Sequence, residues 1–196
     1  LFYIDFDDEL QYISNDVGWT NLGATKHQGI ETSAHYDMAA LDPVLAGLTA
    51  YGTLTYTRAT YEGDIPGFKG RDLPLYSRQV ATIGLRYEHD RWTYNFDGFA
   101  QSKQRAPGPT TNANGSFTGN YITEPSADGQ YGDIPGYVLW NARVGYDFGP
   151  QASNLKVAAG VKNLFDQMNY TRSSDNNAGI YLGEPRTFYV QGSVGF

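Results

Sequence analysis

Val138-Leu139-Trp140-Asn141-Ala142-Arg143-Val144-Gly145-Tyr146-Asp147-Phe148 puts Val, Trp, Ala, Val, Tyr and Phe on one parity and Asn141, Arg143 and Asp147 on the other. Alternation with period two is the pattern of a strand whose two faces meet different surroundings. The run also has the length, about 9–11 residues, that an oblique strand needs to cross a bilayer.

The same split recurs on both sides of this run. Leu155, Val157, Ala159 and Val161 oppose Lys156, Ala158, Gly160 and Lys162, and Phe188, Val190, Gly192, Val194 and Phe196 oppose Tyr189, Gln191, Ser193 and Gly195. Upstream, Trp92, Tyr94, Phe96, Gly98 and Ala100 form the apolar parity of one run and Ala81, Ile83, Leu85 and Tyr87 that of another. Leu48 to Tyr56 and Ile30 to Met38 follow the same rule. The first run sets Phe2, Ile4, Phe6, Leu10 and Tyr12, interrupted by Asp8, against Tyr3, Asp5, Asp7, Glu9 and Gln11. About eight strands are expected.

The connections alternate between short and long. Ala40-Ala46, His89-Arg91 and Gly149-Asn154 are short, whereas Ser14-His27, Glu62-Leu75, Gln104-Gly136 and Tyr170-Pro185 are long and rich in Gly, Pro, Asn, Ser and Asp. Loops beyond about 12–15 residues are uncommon in compact soluble domains. Tight turns at one rim and extended loops at the other are the habit of outer-membrane barrels. The long connections read as solvated loops without helices.

Composition agrees. The chain has 196 residues with Tyr 16, Phe 10, Gly 23 and Cys 0, which favours β-structure and rules out a disulfide framework or a cysteine-ligated metal. No apolar run reaches the length of a membrane-spanning helix, but barrel strands conceal their hydrophobicity in alternation. A formal net charge of -7 with 14 Lys+Arg argues against nucleic acid as a partner. The chain opens directly inside the strand-like run Leu1-Phe2-Tyr3-Ile4-Asp5-Phe6, with no basic and apolar leader pattern, and reads as a piece of something longer.

In hydrocarbon every backbone polar group must be paired, so an alternating sheet crosses only as part of a closed barrel with its apolar parity outward. Tyr12, Tyr36, Tyr56, Tyr87, Trp92, Trp140, Tyr146 and Phe148 fall near run ends, where aromatic girdles form. The fold class is therefore all-β, an antiparallel transmembrane β-barrel. Phe196, an aromatic residue closing an alternating strand, resembles the insertion signal of bacterial outer-membrane barrels.

Gly160-Val161-Lys162-Asn163-Leu164-Phe165-Asp166 resembles the penultimate-strand motif of TonB-dependent receptors. Tyr170 to Ser193, with Gly183-Glu184-Pro185-Arg186, is similar to the close of the ferric citrate transporters within that family. Asn21 to Glu31 resembles the family's Asn-x-Gly to Gly-x-Glu signature, and Gly132-Asp133-Ile134-Pro135-Gly136-Tyr137 its entry into a late strand. The resemblance implies that residues 1–196 are the C-terminal part of a larger barrel of about 22 strands, of which this chain supplies about the last eight. It implies an outer-membrane location in a Gram-negative bacterium and a receptor for a ferric chelate, ferric citrate or a related siderophore. The plug domain and the segment that contacts TonB-ExbB-ExbD are expected outside this chain, which alone would not transport.

A multiply anionic chelate calls for arginine, whose fork donates charge-assisted hydrogen bonds to carboxylates. Lys69, Arg71, Arg78, Lys103, Arg105 and Arg172 are the outer-loop and rim candidates; the plainer reading of each is a solvated or lipopolysaccharide-facing charge. Asn163, Leu164, Phe165, Asp166, Pro185 and Arg186 are expected to be structural, with Arg186 fixing the last loop against its strand. Asp5, Asp7, Glu9, Glu31, His35, Asp37, Arg143, Lys156 and Lys162 are expected to face the lumen and pair there or with the plug. Glu31, His35 and Asp37 do not complete a metal coordination set, so no metal or covalent cofactor is expected and the ferric chelate enters as transported ligand. Further expected partners are outer-membrane lipid and lipopolysaccharide, and the barrel assembly machinery at the last strand.

No Gly-x-Ser-x-Gly, P-loop or His-Glu-x-x-His pattern occurs, and no enzyme is expected. Two other architectures fit the alternation: a complete eight-stranded outer-membrane barrel acting as an adhesin or structural protein, and, less well, a secreted carbohydrate-binding sandwich. A plug domain encoded in frame upstream would favour the transporter over the small barrel, and heat-modifiable mobility in detergent would separate a barrel from a sandwich.

Overall fold

The computed structural model describes residues 1–14, 18–21, 23–63, 69–105, 109–111, 117–121, 133–173 and 180–195. Eight strands form one antiparallel sheet in chain order: β1 (Phe2–Phe6), β2 (Thr25–Asp37), β3 (Leu48–Tyr61), β4 (Gln79–His89), β5 (Trp92–Gln101), β6 (Tyr137–Asp147), β7 (Lys156–Lys162) and β8 (Thr187–Ser193). Each wall strand hydrogen-bonds only to its chain neighbours, a meander. Among the described residues β1 and β8 do not pair, so the sheet is open. A complete eight-stranded barrel would need that pairing, and a sandwich would need a second sheet against the apolar face; neither is present among the described residues, which favour neither alternative.

Register proves the parity reading for seven strands. Ile30↔Tyr56, Ala50↔Leu85, Leu85↔Phe96, Phe96↔Ala142, Ala142↔Val161 and Val161↔Phe188 oppose one another directly, so all share a face. That face is uncovered: Ile83 is 59% and Phe188 75% exposed. A water-facing apolar surface of this extent would be an aggregation hazard, whereas hydrocarbon makes it a wall. Near the short-turn rim its rings run on continuously, Tyr87 to Tyr94 (6.2 Å), Tyr94 to Trp92 (6.0 Å), Trp92 to Tyr146 (4.7 Å) and Tyr146 to Phe148 (4.8 Å). This is one of the two girdles.

The opposite face carries the polar parity. Thr53↔Thr82, Asn141↔Asp97 and Asp147↔Lys156 are direct neighbours there, and the Asn141 amide donates to Asp97 at 2.8 Å. Gly160 and Gly84 lie under rings on this face: a Cβ on Gly160 would stand 2.5 Å from Tyr189, and one on Gly84 2.4 Å from Tyr51. Both glycines give the tyrosines room to lie flat against the sheet.

The first strand is a correction. Phe2↔Gly29, Ile4↔His27 and Phe6↔Thr25 put its apolar residues on the polar, inward parity of β2, while Tyr3↔Gln28 and Asp5↔Lys26 lie outward. The cause is height. β1 pairs with the long-loop end of β2, beyond the apolar band, where the outside is water and the inside is packed under loops. There the Phe6 ring meets His27 (5.3 Å), His27 meets Tyr76 (5.1 Å), and Thr25, His27, Ala59, Tyr61 and Leu73 are buried. Asp5 is thus not a lumen residue. The run also breaks after Phe6: Leu10–Ser14 leaves the wall and pairs with Gly18–Asn21, so the backbone of Tyr12 belongs to a loop ribbon, and its side chain lies outside the described residues.

The long connections are likewise less irregular than expected. Gln104–Arg105 pairs with Asp133–Ile134, Pro109–Thr111 with Phe117–Tyr121, and Tyr170–Ser173 with Ile180–Leu182. Such ribbons satisfy backbone groups over runs too short for side-chain alternation to announce them.

Candidate functional site

The candidate site is the outer mouth, where four long loops rise from the wall. Neighbouring loops are tied in series. Glu62 N and Gly63 N donate to Ala24 O (2.7 and 2.9 Å), joining the first loop to the second; Leu75 N donates to Arg105 O (2.8 Å), joining the second to the third; and the Gln104 amide donates to Thr171 O (2.6 Å), joining the third to the fourth. Gln104 is 5% exposed, so this last bond is shielded from water.

The first loop is also anchored by its own base. The Glu9 carboxylate accepts a short hydrogen bond from the Thr25 hydroxyl and lies 3.2 Å from His27 Nε2, at the buried end of β2. Burial, and secondarily the Glu9 charge, push the Tyr76 phenol above its usual range. Glu9 therefore sits in the mouth beneath the loops, bonded to the wall.

The candidate cations with described side chains have different surroundings. The Arg78 guanidinium donates to both Asp72 oxygens at 2.7 Å, and the Asp72 hydrogen bonds hold it protonated more firmly than usual. Lys103 reaches Asp133 at 2.7 Å, and Arg105 stands 3.4 Å from the same carboxylate. Lys69 and Arg71 are exposed beside the turn at Gly70, where Gly70 N donates to Tyr61 O and Tyr61 N to Arg71 O. Arg172 pairs through its backbone with Tyr181, and its side chain lies outside the described residues.

Asn163 is the organising residue of the last loop. Its backbone adopts the left-handed region, φ 49°, which asparagine tolerates well. Its amide donates to Gln167 O (2.9 Å) and Glu184 O (3.0 Å), while its Oδ1 accepts from Gln167 N (2.9 Å). Asn163 N in turn donates to Asn141 Oδ1 at 3.1 Å, and Leu164 N to Trp140 O at 2.7 Å, fixing the turn to β6. Asp166 accepts from Arg186 N (2.9 Å) and lies 3.9 Å from its guanidinium; Pro185 precedes it, and Phe165 is exposed on the turn. Phe196 lies outside the described residues.

Inside the wall, Lys156 pairs with Asp147 (3.0 Å) and Lys162 with Glu184 (3.1 Å), the latter joining the lumen face to the last loop. Arg143 faces Asn95 and Gly160 on a cavity of about 530 Å³ near the short-turn rim, also lined by Arg86, Glu88, Asp147 and Lys156. Glu31, His35 and Asp37 are exposed on the inner face, and Asp37 caps Ala39 N at 3.0 Å. Among the described residues no group of three His, Cys, Asp or Glu could hold a metal. Asp7 is exposed just past β1.

A sheet of this topology, with an uncovered apolar face and interlocked loops at one end, has a family. Residues 1–164 match the family described as TonB dependent receptor-like, beta-barrel. The chain belongs to the TonB-dependent receptors. Their barrels are outer-membrane proteins of Gram-negative bacteria, and the apolar face is the part of such a barrel that meets lipid. The chain is 41% identical to the ferric citrate transporter FecA in its unliganded form, with a TM-score of 0.76 over 87% of this chain and 24% of that one. It is 30% identical to the ferric-pyoverdine M114 receptor PbuA of Pseudomonas sp. (strain M114), over 90% of this chain and 19% of the receptor. The ferric-catecholate import receptor Fiu of E. coli K12 shares the fold, with a TM-score of 0.65 at 22% identity over 99% of this chain and 24% of that one. The chain thus spans about a fifth to a quarter of the proteins it resembles.

Sequence reading missed the Glu9, Thr25, His27 and Tyr76 cluster and the loop-to-loop bonds. The first had no usable signal in the sequence, since Thr25 and His27 come onto one face with Phe6 only through the register of β1 on β2. The loop bonds run mostly through backbone atoms and leave no trace in residue type.

Proposed function

We propose that this chain is the C-terminal part of the wall of an outer-membrane importer of a ferric chelate, and that the chelate is ferric citrate or a closely related hydroxycarboxylate complex. What carries the reading is the 41% identity to the ferric citrate transporter across 87% of the chain. Arg71, Arg78, Arg105, Arg172, Lys69 and Lys103 supply the donor chemistry that an anionic chelate needs, and ion pairs keep Arg78, Lys103 and Arg105 oriented. A chelate carboxylate would exchange with Asp133 or Asp72 for its cations, so binding need not create a cluster of unpaired charge.

In this reading a plug domain and the TonB-ExbB-ExbD contact belong to the remainder of the full-length protein. The last strand of the sheet, β8, is what the barrel assembly machinery engages, and lipopolysaccharide surrounds the outer rim. The test uses the full-length protein: iron citrate is titrated against tryptophan fluorescence and compared with citrate alone. Arg71→Ala and Arg172→Ala should each weaken ferric citrate by about tenfold, the worth of one or two charge-assisted hydrogen bonds. Unchanged affinity in both variants removes these residues, and equal response to a catecholate chelate removes the hydroxycarboxylate assignment.

A further inference from the structure

We infer that an uncharged pocket between the second, third and fourth long loops is a recognition subsite for a neutral, hydroxyl-bearing arm of the chelate, with Ser77 as the residue that reads it. The inference rests on the reading of the mouth as a ferric-chelate receptor and goes beyond citrate, whose arms end in carboxylates. The cavity, of about 330 Å³, is lined by Leu75 and Ser77 from the second loop, Val80 and Gln101 from the wall, Gln104 from the third loop and Thr171 from the fourth. Val80 is the one bulky apolar residue on the inward parity of β4, where it pairs with Thr55 and Gln101. In a polar lumen its isopropyl group supplies one apolar surface of the pocket and Leu75 another. The hydrogen bond from the Gln104 amide to Thr171 O spans the gap between the third and fourth loops. Leu75 holds φ 64°, a left-handed conformation uncommon for a bulky side chain, and its N–H donates to Arg105 O at 2.8 Å, fixing the corner that carries Ser77 into the cavity.

The lining selects the chemistry of the occupant. Among the described residues no group bonds the buried Ser77 Oγ, and a buried hydroxyl without a partner is uncommon in a folded protein. Gln101 Oε1 accepts from the Tyr137 hydroxyl at 3.3 Å, which leaves the Gln101 NH2 as a donor. No charged side chain lines the cavity among the described residues, so a carboxylate buried there would lack a partner, and a purely apolar group would leave Ser77 and the amides unmet. A hydroxyl-bearing arm meets both conditions. The volume lies at the small end of the range for ligand pockets, about 300–1,000 Å³, and suits one arm better than a whole chelate. The candidate cations are next along the chain: Arg78 follows Ser77, Lys103 and Arg105 flank Gln104, and Arg172 follows Thr171. One residue is about 3.8 Å of chain, so a chelate whose carboxylates those cations hold lies beside the pocket.

The experiment takes the full-length protein and its Ser77→Ala and Val80→Phe variants, each checked for heat-modifiable mobility as a sign of an intact barrel. Tryptophan fluorescence follows titration with the ferric complexes of citrate, of citrate amidated on one terminal carboxylate with ethanolamine, and of the matching propylamine amide, which lacks the hydroxyl. The hydroxyethyl amide should bind the parent about fivefold more tightly than the propyl amide, the effect of one neutral hydrogen bond. Ser77→Ala should erase that preference. Val80→Phe, which fills the cavity from the wall, should weaken both amides and leave ferric citrate affinity unchanged. A preference that survives in Ser77→Ala, or unchanged binding of both amides in Val80→Phe, overturns the subsite and leaves the pocket to solvent. Abolition of the preference by millimolar N-(2-hydroxyethyl)acetamide overturns the attachment to a chelate, in favour of a free neutral molecule. Failure of the parent to bind ferric citrate overturns the chelate reading and the arm with it, whereas equal binding of the two amides overturns the arm alone.

Discussion

Replacing Asn163 with alanine should release the last loop without unfolding the wall. The side chain is 2% exposed and makes three hydrogen bonds, to Gln167 O, Glu184 O and Gln167 N. At about 1 kcal/mol net for each neutral bond, the loss is about 3 kcal/mol, less whatever water recovers at the loop surface. Alanine in the left-handed region at φ 49° adds about 1 kcal/mol, because its Cβ crowds the following carbonyl and no side-chain bond compensates. A local loss of about 4 kcal/mol corresponds to roughly a thousandfold rise in the opening equilibrium of the turn. Hydrogen exchange of the full-length protein reads this directly: amides of residues 164–168 and 183–187 should exchange far faster in Asn163→Ala, while those of β5 and β6 keep their protection. Asn163→Gly separates the two contributions, since glycine accepts the backbone angle and lacks the amide; it should lose about 3 kcal/mol of the 4. Exchange in Asn163→Ala within tenfold of the parent would refute the reasoning, as it would mean the amide's bonds are replaced without cost.

Three other outcomes follow from the faces and the loop base. Leu85→Arg, on the outward face between Ala50 and Phe96, should destabilise the bilayer-inserted barrel by about 2–4 kcal/mol, whereas Thr53→Arg on the inner face should cost little; equal costs in a denaturant titration would reverse the assigned faces. Gly29→Val should disrupt pairing of β1 with β2, because its Cβ would meet the Phe2 ring at 2.6 Å and Tyr56 O at 2.1 Å; retention of the parent's unfolding midpoint would count against that packing. Tyr76 is held neutral by burial and by Glu9, so its folded value lies above its unfolded value near 10. Its contribution to loop stability is therefore complete below pH 10 and lost as pH rises through the folded value. Loop protection in Tyr76→Phe should not fall over that window; a parallel fall in parent and variant would assign the effect to other groups.

The wall was legible because seven of its strands obey one rule. From Trp92 to Ala100 and from Val138 to Phe148 each residue meets either hydrocarbon or the polar interior, and alternation records that choice at every position. Asn163 was visible as a motif, but its role depends on Gln167 and Glu184 arriving from two parts of the loop, a meeting that residue identity does not encode. The nominated cations were found as residue types only: that Lys103 and Arg105 share Asp133, and that Arg78 is claimed by Asp72, depends on loop paths set by backbone bonds such as Leu75 N to Arg105 O.

The first strand explains why parity alone fails at the rim. Parity divides residues into two sets and says nothing about which set faces out; that step assumes that the outside is apolar. Between Ile30 and Tyr36 the assumption holds, because lipid lies outside. Above Ile30 it inverts: Lys26, Gln28 and Asp5 lie on the outward parity, while Phe2, Phe6 and Tyr61 share the inward one, where Tyr61 is buried and Phe6 stays 43% exposed. A strand wholly above the boundary therefore shows clean alternation with the opposite meaning, and Phe2 to Phe6 is such a strand. The inversion point is itself a measurement, since it falls between Tyr56 and Arg58 on β3 and between Ile30 and Gln28 on β2. Because Ile30 pairs with Tyr56 and Gln28 with Arg58, the two strands mark one and the same edge of the apolar band.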